Sequence, residues 1–151
     1  MIIQQGSHFR LVRRNKMAVT NQTIQDSRWR TIIKTTITGT NSVLNILDAS
    51  SLVGWVTGSI VNLAAVEWSI ADTSVSTHLI WDATSNVVIL DFTGNGSYGG
   101  SDGMPAIANN AAVANRTGDV LLTTSGGVFG TLVCVYHKVE TTAGHGNGWT
   151  A

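Results

Sequence analysis

Short runs of alternating apolar residues, each ended by a cluster of Gly, Asn, Ser or Asp, recur from residue 28 to residue 139, and they constrain the fold more than anything else in this sequence. Side chains of a strand point alternately to its two faces, so period-two alternation predicts half-buried strands. Residues 28–38 put Trp29, Ile33 and Ile37 on one face and Arg28, Arg30, Lys34 and Thr36 on the other. Residues 42–47 form a second short run. Residues 59–70 group Ile60, Ala64, Val66, Trp68 and Ile70, and residues 75–81 turn Val75, Leu79 and Trp81 inward with Ser76 and His78 outward. Residues 86–92 are apolar on both faces, which predicts a central, covered strand. Residues 119–124 and 128–139 complete the set.

The connections fit the same scheme. Asp82-Ala83-Thr84-Ser85-Asn86 reads as a hairpin turn, and Ser125-Gly126-Gly127 as another before the last strand. Seven or eight such strands predict an all-β fold: a single-domain antiparallel β-sandwich, jelly-roll-like, with an extended basic N-terminal arm. The expected division is an arm over 1–27, the sandwich over 28–140 and a Gly-rich tail over 141–151. Two segments are ambiguous. Residues 50–65 partly fit a helical spacing, but two Gly and several β-branched residues oppose a helix. Residues 105–114 are Ala- and Asn-rich and read as one helical turn or a surface loop, Pro105 being permitted at a first helical position.

Charge is divided along the chain. Residues 1–34 hold seven basic side chains and one acidic one (Asp26), a formal +6, whereas residues 35–151 hold two basic and eight acidic, a formal −6. A cationic arm on an anionic body suits docking onto another copy or onto an acidic neighbour. Nucleic acid is disfavoured as the partner of Arg10, Arg13, Arg14 and Lys16, because the body would be repelled. Charged residues make up only 12% of the chain, against roughly 25% in ordinary soluble domains. Ser, Thr, Asn and Gly, or partner subunits, must therefore cover the surface. The run Met17-Ala18-Val19-Thr20 has the pattern of a translation start, which leaves residues 1–16 open as an upstream extension. The first residues lack a signal-peptide pattern, and no apolar stretch reaches the ~18–20 residues that span a bilayer, so no membrane partner is expected.

The motifs for chemistry are weak. Gly94-Asn95-Gly96-Ser97-Tyr98-Gly99 matches the dinucleotide pattern G-x-G-x-x-G, but Gly100-Ser101-Asp102-Gly103 follows where a helix is required, and a flexible surface loop is the better reading. The segment 99–103 has one copy of a calcium-repeat pattern that works through tandem copies. His78 and His137 lie in predicted strands and would form a pair only if those strands were neighbours; solvated histidines are expected instead. Cys134 is the only cysteine, so no internal disulfide can form, and mid-strand it reads as a buried, inert thiol. Asp48, Glu67, Asp82 and Asp91 offer carboxylates for acid–base pairing, though turns and strand ends ordinarily carry them. No catalytic, metal or cofactor-binding constellation is expected, and an enzyme is the least favoured class.

Two longer motifs carry a resemblance. Ser76-Thr77-His78-Leu79-Ile80-Trp81-Asp82-Ala83-Thr84 leads into an apolar strand and a Gly-Asn-Gly loop, and Thr117-Gly118-Asp119-Val120-Leu121-Leu122-Thr123-Thr124-Ser125-Gly126 precedes a hydrophobic strand ending at Lys138. Over residues 60–140 the chain thereby resembles small tailed-bacteriophage virion proteins, mostly of marine phages, in which a WDAT turn and a TGD-type strand recur in that order. Residues 101–116 depart from them, being Ala/Asn-rich where the relatives often carry aromatics and Gly. The resemblance implies a structural component of the particle with no catalytic residues to carry over. It leads to the expectation of a capsid decoration or cement protein on the phage head, bound to the major capsid protein and to neighbouring copies of itself as a trimer or dimer. Arg10, Arg13, Arg14, Lys16, Arg28, Arg30 and Trp149 are the expected partner-binding residues. A tail, neck or fibre component is one alternative. A carbohydrate-binding sandwich, stacking sugars on Tyr98, Trp55 or Trp149, is another.

Overall fold

The computed structural model describes residues 18–40, 43–139 and 149. Among them run β1 (Ala18–Asp26), β2 (Arg30–Thr40), β3 (Leu44–Leu47), β4 (Val61–Ile70), β5 (Thr77–Ala83), β6 (Val87–Phe92), β7 (Asn95–Gly99), β8 (Arg116–Thr124) and β9 (Gly127–Lys138). The helical elements among the described residues are two 3₁₀ turns, Ala49–Ser51 and Gly100–Asp102. The strands form two antiparallel sheets, ordered β1-β2-β9-β4-β7 and β3-β8-β5-β6. From β2 to β9 this is the connectivity of a jelly roll, two interleaved Greek keys, with β1 added at one edge. The expected all-β sandwich is therefore the fold of the described domain.

Inward side chains of both sheets build the core. Ile33, Ile37, Leu132 and Tyr136 come from the five-stranded sheet, and Leu79, Trp81, Val120 and Leu122 from the four-stranded one. Each such burial contributes roughly 1.5–3 kcal/mol relative to exposure. The alternation read in residues 28–38 holds for Ile33 and Ile37, with Thr31 and Thr35 buried between them. It fails at Trp29, which precedes β2 in the turn and is 57% exposed. Among the described residues, no helix is long and apolar enough to cross a membrane.

Several expectations are corrected. The arm expected over 1–27 is, from Ala18 to Asp26, strand β1, paired along its length with β2. In β4 the inward set is Val61, Leu63, Val66 and Ile70, with Ala64 left out of the core face. A register shift between Leu63 and Ala65 inserts one residue and moves the buried series from odd to even positions. Strand β6 is an edge strand, not a central one, and Val88 is exposed. Ser125-Gly126 carries the chain between sheets rather than closing a hairpin, because β8 and β9 belong to different layers. By contrast, Asp82 to Asn86 does join the paired strands β5 and β6, the Asn86 carboxamide accepting the Ala83 N–H.

The glycine motif is also corrected: Asn95–Gly99 is strand β7, not a loop. Its glycines permit close approach. A Cβ on Gly96 would sit 2.4 Å from the Trp68 ring, and one on Gly99, whose φ is +78°, would sit 2.2 Å from the Ala64 carbonyl oxygen. Residues 105–114 form no helix, and Ile107 instead exchanges two backbone hydrogen bonds with Leu63. Near residue 50, helical character is confined to the 3₁₀ turn, with the Asp48 carboxylate accepting from the Ser50 N–H as its cap.

Candidate functional site

The most distinctive surface is the tip where β1 turns into β2. Asp26-Ser27-Arg28-Trp29 makes a tight reversal: Ser27 donates its N–H to the Arg30 carbonyl, and its hydroxyl oxygen accepts from the Arg30 N–H at 3.3 Å. The reversal pushes Arg28, Trp29 and Arg30 outward. The Arg28 guanidinium lies 4.7 Å from the Trp29 ring centroid, a cation–π contact. Arg30 donates Nε–H to Gln25 Oε1 at 3.0 Å and lies opposite His137 in the β2–β9 register. Trp29, Arg30, His137 and Lys138 line an open groove of about 370 Å³.

A buried clasp supports this tip. The Lys138 ammonium donates to Asp26 Oδ1 at 2.7 Å and to the Val53 carbonyl at 2.6 Å, and stands 4.6 Å from the Trp149 ring centroid. Asp26 Oδ2 accepts the Val53 N–H at 2.7 Å. Trp149 in turn donates its indole N–H to the Ile60 carbonyl at 2.8 Å. One carboxylate and one ammonium thus tie the ends of β1 and β9, the loop before β4 and Trp149 into a single contact set.

The expected partner-binding residues separate accordingly. Arg10, Arg13, Arg14 and Lys16 lie outside the described residues. Arg28 and Arg30 are at the β1–β2 tip, about 27 Å along β1 from Ala18 at roughly 3.4 Å per residue. They do not continue a single arm. The assignment of Trp149 to a partner surface is corrected, since it is buried against its own domain. Trp29, which the alternation grouped with Ile33 and Ile37, faces outward instead; its position between two arginines was the available signal. The aromatics suggested for sugar stacking are otherwise engaged. Tyr98 donates its hydroxyl to the Pro105 carbonyl, and Trp55 packs half-buried on the core.

Several other ionisable groups serve local structure. His78 pairs with Asp91 across β5 and β6, so it is not the simply solvated histidine expected, and His137 lies in the other sheet. Asp82 accepts the Thr117 hydroxyl at 2.7 Å. Asp119 accepts the Ala49 N–H at 2.8 Å and the Asn45 amide at 2.9 Å. Its half-burial pushes its carboxyl above the ordinary value in spite of those two bonds, and Asp48 and Asp82 nearby add to the rise. Asp72 is shifted the other way by the hydroxyl and N–H of Ser74. Burial pushes the Cys134 thiol up to about 12, so it is a protonated, inert group at neutral pH. Among the described residues, no three His, Cys, Asp or Glu side chains gather where they would hold a metal ion.

No known family model matches this chain, and neither a curated protein nor a solved structure shows significant similarity to it.

Proposed function

We propose that this chain is a non-enzymatic structural subunit of a tailed-phage virion, a decoration or cement protein that stiffens the head by bridging major capsid protein subunits and copies of itself. The observation that carries the reading is the β1–β2 tip: Arg28, Trp29, Arg30 and His137 present cationic and aromatic surface on a body whose formal charge over residues 35–151 is −6. Aromatic and arginine side chains are the types that most often dominate binding energy at protein interfaces. An acidic patch on a capsid subunit is the complementary partner. The WDAT and TGD motifs support the same assignment. Trp81 of the first and Val120 and Leu122 of the second are core residues, so these motifs specify the fold, and partner choice is left to the surface.

The test is co-sedimentation of the full chain with expanded shells of the parent phage's major capsid protein. Wild-type protein should pellet with the shells. Replacing Arg28 and Arg30 by Glu together should weaken binding roughly 10–100-fold, and Trp29→Ala should weaken it comparably. Failure of the wild-type chain to pellet, or equal binding by the variants, would remove the reading.

A further inference from the structure

Each layer of a sandwich turns one face to the core and the other outward, and the outward face is ordinarily polar. The five-stranded sheet departs from that rule. Ile32, Ala65, Val133 and Val135 occupy the middle of its outward face, are only partly exposed, and do not pack on the core. No described strand lies over them. Ala65, Glu67, Ser69, Val133 and Val135 line one wall of a groove of about 770 Å³.

Strand register arranges this face in rows, with β2 on one side of β9 and β4 on the other: Lys34–Val133–Glu67, Ile32–Val135–Ala65 and Thr36–Thr131–Ser69. The β1 and β7 positions that extend these rows are Gln22, Gln25, Thr20, Ser97, Gly99 and Asn95. Lys34 and Glu67 are therefore the ionisable side chains of the three rows, on opposite sides of Val133 and about 10 Å apart across two strand spacings.

This pattern matches itself under one kind of rotation. With a second copy turned about an axis parallel to β9, outward face to outward face, β2 of each copy lies over β4 of the other. Lys34 then meets Glu67 on both sides of the axis. The larger Ile32 meets the smaller Ala65, Thr36 meets Ser69, and Val133 and Val135 meet their own counterparts. An axis perpendicular to β9 through the same row sets lysine against lysine and glutamate against glutamate. Excluding the Arg30–His137 row at the tip, the face runs from Phe129 to Val135 of β9 across five strands, about 24 Å by 19 Å or near 450 Å², a small interface against the ~800 Å² that each partner contributes to a standard one.

We infer that this face joins copies of the chain in a closed assembly whose rotation axis runs parallel to β9, with Lys34 of one copy paired to Glu67 of the next. The inference rests on the self-association half of the proposed function and specifies its surface. The experiment is sedimentation equilibrium of the full chain over a range of concentrations. Wild-type protein should associate. Lys34→Glu and Glu67→Lys should each weaken association roughly tenfold or more, and the double exchange should restore it. Val133→Lys, which brings like charges together on the axis, should dissociate it independently. Circular dichroism of every variant should match the wild type. A wild-type monomer, single variants that associate as well as wild type, or a double variant no better than the singles would overturn the inference. So would a chain that associates only after residues 1–17 are removed, since its own leader would then occupy the face. Capsid co-sedimentation is read separately. An oligomer indifferent to shells would sink the virion reading and leave this one standing, and a shell-binding monomer would do the reverse.

Discussion

Asp26→Ala tests the clasp at the β1–β2 tip most severely. The Lys138 side chain is 0% exposed and that of Asp26 16%, at an Nζ–Oδ1 distance of 2.7 Å. Removing the carboxylate leaves a fully buried ammonium with one carbonyl, that of Val53, and the face of Trp149. It also takes the acceptor from the Val53 N–H. Stranding one member of a buried pair costs about 3–5 kcal/mol, a large share of the ~5–15 kcal/mol that holds a domain folded. The thermal midpoint should fall by roughly 10–15 °C. Lys138→Met should cost less, because the charge it strands is the partly solvated carboxylate. The pair Asp26→Asn with Lys138→Met should recover most of the loss: no charge remains buried, and Val53 keeps an acceptor. The assay is thermal and urea unfolding followed by tryptophan fluorescence, with Asp26→Asn, Lys138→Met and their combination arranged as a double-mutant cycle. A loss below about 1 kcal/mol for Asp26→Ala is what an exposed ion pair gives, and it would refute the argument, as would strict additivity of the two sites.

Other expectations follow from single contacts. Cys134 should resist alkylation at pH 8 in the native protein and react on unfolding, so thiol labelling reports opening of the β9 layer. Its pKa rises from 9.0 to about 12 on folding and that of Tyr136 also rises through burial; above pH 9 the unfolded chain therefore binds fewer protons than the native one, and stability should fall as pH climbs from 9 toward 12, by up to about 1.4 kcal/mol per unit for each group. A flat urea midpoint across that range would contradict it. Gly99→Ala, which combines a positive φ with a Cβ 2.2 Å from the Ala64 oxygen, should destabilise by at least about 1–3 kcal/mol in urea titration. In virions, a head location requires hundreds of copies per particle by quantitative gel or mass analysis; a few or tens would move the protein to the tail.

What the sequence made legible was the strands whose alternation runs unbroken into the core. Leu79 and Trp81 of β5 are buried at the positions their spacing indicates. Local pattern carries no information about partners far along the chain, and there it failed. Strand β1 is mostly polar because it is an edge strand, so Gln22, Thr23 and Gln25 read as a loop-like arm. Strand β7 is hidden because its glycines are set by how closely Trp68 and Ala64 approach, not by strand propensity. The bulge in β4 exchanges the faces of its two halves, which no fixed period can represent. The clasp joins residues 112 positions apart. Its one visible trace was Asp26 as the single acid among seven bases, a charge the fold uses to neutralise Lys138 rather than to weaken an arm.

Strand β9 shows how folding and contact are kept apart in such a domain. It lies in the middle of the five-stranded sheet, between β2 and β4. Its even positions, Leu132, Cys134, Tyr136 and Lys138, are buried, whereas Val133, Val135 and His137 face outward. Strand geometry makes this division sharp, because adjacent residues cannot share a face. On the proposed self-association, inward substitutions should act on stability and outward ones on association, with little crossover between them. The outward β9 positions 133 and 135 are Val133 and Val135, branched and apolar, although polar residues would suit a solvated strand equally well. A Val133→Thr, Val135→Thr double variant should fold with the wild-type midpoint and yet associate more weakly. If those valines served only strand propensity, the isosteric threonines would change neither property.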